Sequence, residues 1–171
     1  AKGPLDLPDG TNSPNVHGGT LLIFDAGGTA RDAYHLPAKG WKGLGDPAGT
    51  KGWRYTGTGA DDDPCSAVKV TPTAVTATCR NSGVTLAPPF TGPMAAVFSI
   101  GGGRKQYCAS FGGTILRNDA AQFTAKNSSV PAACPLSAPS WDVGPPQTLL
   151  GFGALGGLSA FPDEATVRVP G

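Results

Sequence analysis

The chain has 171 residues, a length that suits one domain with appendages better than two domains. Its 13 basic and 12 acidic residues leave a net charge of +1, so no field of one sign is available to draw in nucleic acid or an anionic membrane. Gly and Pro contribute 26 and 17 residues, yet 39% of the chain is hydrophobic, which argues against a disordered polar chain and suits short strands joined by many turns.

Residues 1–17 (AKGPLDLPDGTNSPNVH) carry three prolines and no hydrophobic period, and are expected as an extended arm. From Gly19 onward strand signals follow one another. Thr20 to Phe24 is a short apolar run closed by the turn Asp25-Ala26-Gly27-Gly28, and Ala30 to Leu36 is a second strand ended by Pro37. Trp41 and Gly52-Trp53-Arg54-Tyr55 supply aromatic bulk. Further strands are expected at Val68–Thr71, Ala74–Cys79, Gly83–Leu86, Met94–Ile100, Gln106–Phe111 and Thr114–Leu116, each bounded by Gly, Pro, Asn or Asp. The best helical candidate, Asn118 to Phe123, amounts to about one turn. This pattern predicts an all-β chain, an antiparallel β-sandwich of immunoglobulin-like or jelly-roll-like kind over residues 18–135.

The hairpin at Pro72 can be read residue by residue. A two-residue loop at Pro72-Thr73 pairs Val70 with Val75 and Val68 with Ala77 on an apolar face, and Lys69 with Thr76 on a polar one. That register sets Ser66, not Cys65, opposite Cys79. A Cys65–Cys79 bridge therefore requires a bulge.

Four cysteines without a CxxC pair argue against zinc and haem sites and for two disulfides in an oxidising compartment. Cys65–Cys79 staples one hairpin. Cys108 is left to pair with Cys134, closing a loop of 26 residues worth about 3 kcal/mol. The expected setting is secreted, extracellular or on the cell surface.

After Cys134 the character changes. Residues 135–146 (PLSAPSWDVGPP) hold four prolines, residues 147–161 are apolar and glycine-rich, and Ala165 to Val169 alternates like a final strand. The longest apolar stretch, Leu149 to Phe161, is shorter than the roughly 20 residues a spanning helix needs, so no membrane insertion is expected. Residues 136–171 are assigned as a tail.

The runs GGTLLIFDAGG, AYHLPAKGWKGL, GWRYTGTGADDDPC, QYCASFGGTILRNDAAQF and VPAACP follow in order over residues 18–135. In that order, and above all in YCASFGGT followed by AACP, the chain resembles an all-β module of secreted bacterial multidomain proteins that carries no known activity. The resemblance implies secretion and a β fold, and it supplies no catalytic residue.

Searching for chemistry yields little. His17 lies in the arm and His35 in a strand beside Tyr34, and no GxSxG, HExxH or P-loop pattern is present. Asp61-Asp62-Asp63 is the one carboxylate cluster. Three consecutive carboxylates cannot all face one calcium ion, so a solvated turn is expected there. Paired catalytic carboxylates would need Asp25, Asp32 or Asp46 as partners, which sequence cannot place. No enzyme, metal or cofactor is therefore assigned. Tyr34, Trp41, Trp53, Tyr55 and Trp141 are candidates for a sugar-binding platform on cell-surface polysaccharide, against the alternative that the tryptophans anchor a core short of large residues. Leu149, Leu150, Phe152, Leu155, Leu158, Phe161, Val167 and Val169 in the tail are the favoured candidates for a strand that completes the sheet of another copy, with Leu5-Asp6-Leu7 in the arm as the alternative segment. A non-catalytic structural subunit of an extracellular assembly, a fibre built by strand exchange through a chain end, is the expected function, with a carbohydrate-binding or adhesive accessory module as the alternative.

Overall fold

A computed structural model describes residues 5–25, 30–80, 83–101 and 105–126, together with the backbone of two strands at 158–160 and 164–167. The strands, in chain order, are β1 (Gly19–Asp25), β2 (Arg31–Leu36), β3 (Trp41–Leu44), β4 (Gly52–Thr56), β5 (Cys65–Val70) and β6 (Val75–Cys79). Then come β7 (Met94–Ile100), β8 (Lys105–Phe111), β9 (Thr114–Asp119), β10 (Gln122–Lys126), β11 (Leu158–Ala160) and β12 (Glu164–Val167).

They form a five-stranded sheet ordered β11-β8-β7-β1-β2, a four-stranded meander ordered β3-β4-β5-β6, and a three-stranded sheet ordered β12-β10-β9. Alternation decides which side of each strand faces inward. On β2, Asp32, Tyr34 and Leu36 are buried while Arg31, Ala33 and His35 are exposed. On β7 the residues Met94, Ala96, Phe98 and Ile100 share one face. Phe98 and Ile100 meet Trp41, Trp53, Tyr55, Val68 and Val70 of the meander, which closes the sandwich. Met94 and Ala96, at the other end of the same face, meet Phe90, Phe123 and Ala125 under the three-stranded sheet. The opposite face of β7 is buried as well, through Ala95 and Val97 clustered with Leu22, Phe24 and Cys108. Burial on both faces explains why β7 reads as a continuous apolar run.

The β5–β6 hairpin has the register its sequence dictates, Val70 with Val75, Lys69 with Thr76 and Val68 with Ala77. The register shifts between Cys65 and Ala67, leaving Ser66 as the bulge, and Cys65 then faces Cys79 in a disulfide. Gly52, which opens β4, has φ +113°, and a Cβ there would lie 2.0 Å from the Val70 carbonyl, so only glycine fits.

Three expectations are corrected. Residues 83–86 form no strand, because the amides of Thr85 and Leu86 donate to the Asp32 carboxylate at 2.7 and 3.1 Å instead of to a neighbouring chain. Asn118–Phe123 is not a helical turn but the junction of β9 and β10, where Asp119 Oδ1 accepts from the amides of Ala121 and Gln122 at 2.9 and 3.1 Å. The arm is not wholly extended: Gly10–Asn12 make a 3-10 turn and Pro14–His17 a one-turn helix, α1, with proline at its first position.

Candidate functional site: the docked chain ends

Leu5 to Pro8 lie across both sheets of the sandwich. Leu5 is 4% exposed, and its amide donates to the Pro72 carbonyl in the β5–β6 turn at 2.5 Å. The Asp6 carbonyl accepts from the Tyr107 hydroxyl at 2.6 Å, and the Asp6 carboxylate pairs with Lys105, both partners being on β8. The Pro8 carbonyl accepts from Trp53 Nε1 on β4 at 2.9 Å. Amides and carbonyls of an extended segment are thus satisfied by groups distant in sequence, as buried polar atoms require. Beyond Pro8 a cleft of about 460 Å³ separates the arm from the β3–β4 turn, with Asp9, Asn15, Thr50 and Trp53 among its lining.

The tail supplies β11 and β12. Leu158, Ser159 and Ala160 run parallel to β8 opposite Gln106, Tyr107 and Cys108. Glu164 to Val167 pair antiparallel with β10, Val167 facing Phe123 and Glu164 facing Lys126. Both strands thus complete sheets of their own chain, and both sit at sheet edges. Of the residues assigned to an assembly strand, Leu158 and Val167 fall in these elements. Leu149, Leu150, Phe152, Leu155, Phe161 and Val169 lie outside the described residues, as does Cys134, the expected partner of Cys108.

The aromatic platform is corrected for the four rings that are described. Tyr34, Trp41, Trp53 and Tyr55 are at most 5% exposed, because alternation on their strands points each of them into the sandwich. Trp41 packs against Tyr55 and Phe98 with ring centroids 5.4 and 6.1 Å away. Trp141 lies outside the described residues. All three tyrosines of the chain hold their protons above the ordinary range. Burial is the main cause for each, reinforced by the carboxylates of Asp32 at Tyr34, Asp63 at Tyr55 and Asp6 at Tyr107.

Of the acidic run, Asp61 and Asp62 are exposed. Asp63 accepts from the Tyr55 hydroxyl and the Thr58 amide, both at 2.8 Å, and so stabilises its own turn. Among the described residues no group of three or more His, Cys, Asp or Glu side chains is placed to hold a metal ion. His17 and His35 are exposed, and Asp46 is exposed in the β3–β4 turn. Asp25 and Asp32 are buried; Asp25 accepts from Thr91 Oγ1 at 3.3 Å. Asp32 accepts from the Tyr34 hydroxyl at 2.6 Å besides the amides of Thr85 and Leu86, which makes it a pin between β2 and the segment leading to β7. Its signal was an inward-facing carboxylate in the alternation of Arg31 to Leu36.

No family model, curated protein or solved structure matches this chain.

Proposed function

We propose that this chain is a non-catalytic structural subunit of an extracellular assembly, joined to its neighbours by exchange of the C-terminal tail strands. The observation that carries the reading is the position of β11 and β12. Each is three or four residues long and, among the described residues, occupies the outer position of its sheet and is hydrogen-bonded on one side only. Such strands leave and rejoin an edge without disturbing central pairing, and the same edge accepts an identical strand from another copy. The 23 residues between Cys134 and Leu158 span up to roughly 75 Å when extended, enough to reach a neighbouring body. A head-to-tail contact of this kind is heterologous and propagates into a fibre. The Cys65–Cys79 bridge and the resemblance to a module of secreted bacterial proteins both support an oxidising, extracellular setting.

Deleting residues 136–171 tests this reading. A folded monomer that no longer assembles, measured by light scattering beside the full chain, supports exchange. An unfolded product assigns the tail to its own core.

A second reading, an adhesive module for cell-surface polysaccharide, is favoured by the cleft beside Trp53, whose rim carries Asp9, Asn15 and Thr50. A carboxylate, an amide and a hydroxyl over an apolar floor are the groups that hold sugar hydroxyls. Retention on insoluble polysaccharide that falls on Asn15→Ala would support it, and absence of retention by the native chain would remove it.

A further inference from the structure

We infer that residues 130–138 (VPAACPLSA) of this chain lie across the outer face of the five-stranded sheet, pinned by a bond from Cys134 to Cys108 on β8. The inference stands independently of exchange by the tail strands. On the side turned away from the meander, Leu22 and Phe24 of β1, Ala95 and Val97 of β7 and Cys108 of β8 are each at most 9% exposed. The registers set Leu22 beside Val97, Val97 beside Cys108 and Phe24 beside Ala95, so the five make one patch. Its border is sharp. Arg31 and Ala33, the next positions on β2, are exposed, and so is Thr20, one pleat along β1. An open sheet face would leave such side chains in water, and burial on both faces requires a layer on each. Among the described residues no further apolar side chain joins this cluster.

The size of the patch indicates the kind of layer. Three strands about 4.8 Å apart, with two positions along each, make roughly 10 by 7 Å, the footprint of one extended segment. A docked second copy would bury far more, on the order of 800 Å² per partner, and the burial is already present in a single chain. The cysteines identify the segment. Among the described residues no cysteine is free, and Cys65 and Cys79 are bonded to each other, which leaves Cys134 as the partner for Cys108 within the chain. Residue chemistry agrees. From 130 to 138 Ser137 is the one hydroxyl or charged side chain, and Pro131 and Pro135 bring no amide proton for an apolar surface to leave unpaired. In an extended run Ala132 and Leu136 share a side with Cys134, so the bond that pins the segment turns them onto the patch. From Lys126, the end of β10, to Cys134 the chain reaches up to roughly 27 Å, well beyond the roughly 10 Å between packed sheets.

Two measurements on the full chain test the inference. Non-reducing peptide mapping of the monomer is expected to return a peptide that joins Cys108 to Cys134. A free Cys134, or Cys108 bonded to another chain, overturns the inference. The second measurement separates a seated segment from a bare staple. Leu136→Asp sets a carboxylate against the patch while all four cysteines remain. Its binding of an apolar fluorescent dye should rise severalfold over the native chain, because Leu22, Phe24 and Val97 are uncovered. Ser137→Asp, one position along and turned the other way, should leave dye binding at the native level. Near-UV circular dichroism checks that each variant is folded. Leu136→Ser replaces Leu136→Asp if the charged variant fails that check, and should also bind more dye than Ser137→Asp. Dye binding that is unchanged at Leu136, or that rises as much at Ser137, overturns the inference.

Discussion

The β5–β6 and β9–β10 hairpins solve one problem differently. Each has a partly buried inner strand, with Val68 and Val70 inward on β5 and Phe123 and Ala125 inward on β10, and each leaves an outer strand at a sheet edge. Each also contains a bulge. In the first, the extra residue is Ser66 on the inner strand, and the shift brings Cys65 opposite Cys79. In the second, Ala125 faces Ile115 and Thr124 faces Arg117, which leaves Leu116 as the extra residue on the outer strand. The first edge is locked covalently and shows small side chains. The second shows Ile115 and Leu116 at 47% and 54% exposure, carries no cysteine and is fastened by polar contacts, chiefly Asn118, which bonds both the amide and the carbonyl of Phe90 at 2.8 Å. A bulge is therefore not a device with one purpose: it aligns thiols in one hairpin and turns apolar side chains outward in the other.

Alkali separates the two halves most strongly, because all three tyrosines lie in the core cluster on the meander side and none lies in the cluster beneath β9–β10. Their folded pKa values are raised, so their contribution to stability is complete below the unfolded value of about 10 and is lost as pH climbs above it. Destabilisation should approach about 1.4 kcal/mol per pH unit for each tyrosine. Phenolate absorbance is expected to stay flat through pH 10 and then rise in one step together with loss of the near-UV circular dichroism signal. Independent titration near pH 10 of any one of them in the folded protein would contradict the burial described here.

Replacing Cys65 and Cys79 by Ala opens a loop with a sequence separation of 14 and should cost about 3 kcal/mol in urea unfolding. The counterpart in the other hairpin, Asn118→Ala, removes two part-buried hydrogen bonds from the Phe90 amide and carbonyl and should cost about 1–2 kcal/mol. A loss at Asn118 as large as that of the disulfide would erase the distinction between covalent and polar fastening. The Asp119 carboxyl is held below its ordinary pKa, first by the Arg117 hydrogen bond and then by the Ala121 amide. A depressed value means stability that is present above the unfolded pKa and declines as pH falls through the folded one, so the slight loss on acidification below about pH 4 should vanish in Asp119→Asn. Last, Ile115→Thr with Leu116→Thr should change stability by less than about 0.5 kcal/mol while reducing nonspecific association on light scattering.

Much of the strand framework was legible because period two is a local property. The Pro72 hairpin could be derived down to its bulge, since Val68, Val70 and Val75 fix the face and Cys65 and Cys79 fix the displacement. What escaped depended on contacts distant in sequence. Residues 83–86 look like a strand until Asp32 takes their amides, and the arm looks unattached until Pro72, Trp53, Lys105 and Tyr107 meet around it. The four rings read as a platform because composition records aromatic residues but not the direction in which each strand points them.

The arm has a mechanical consequence. Tension entering from the N-terminal side reaches the meander at Pro72 and Trp53 and the five-stranded sheet at Lys105 and Tyr107 together, so the load is divided between the layers instead of prying at one. Once those contacts yield, residues 5–10, about 20 Å long when fully extended, carry the force on to α1 and β1.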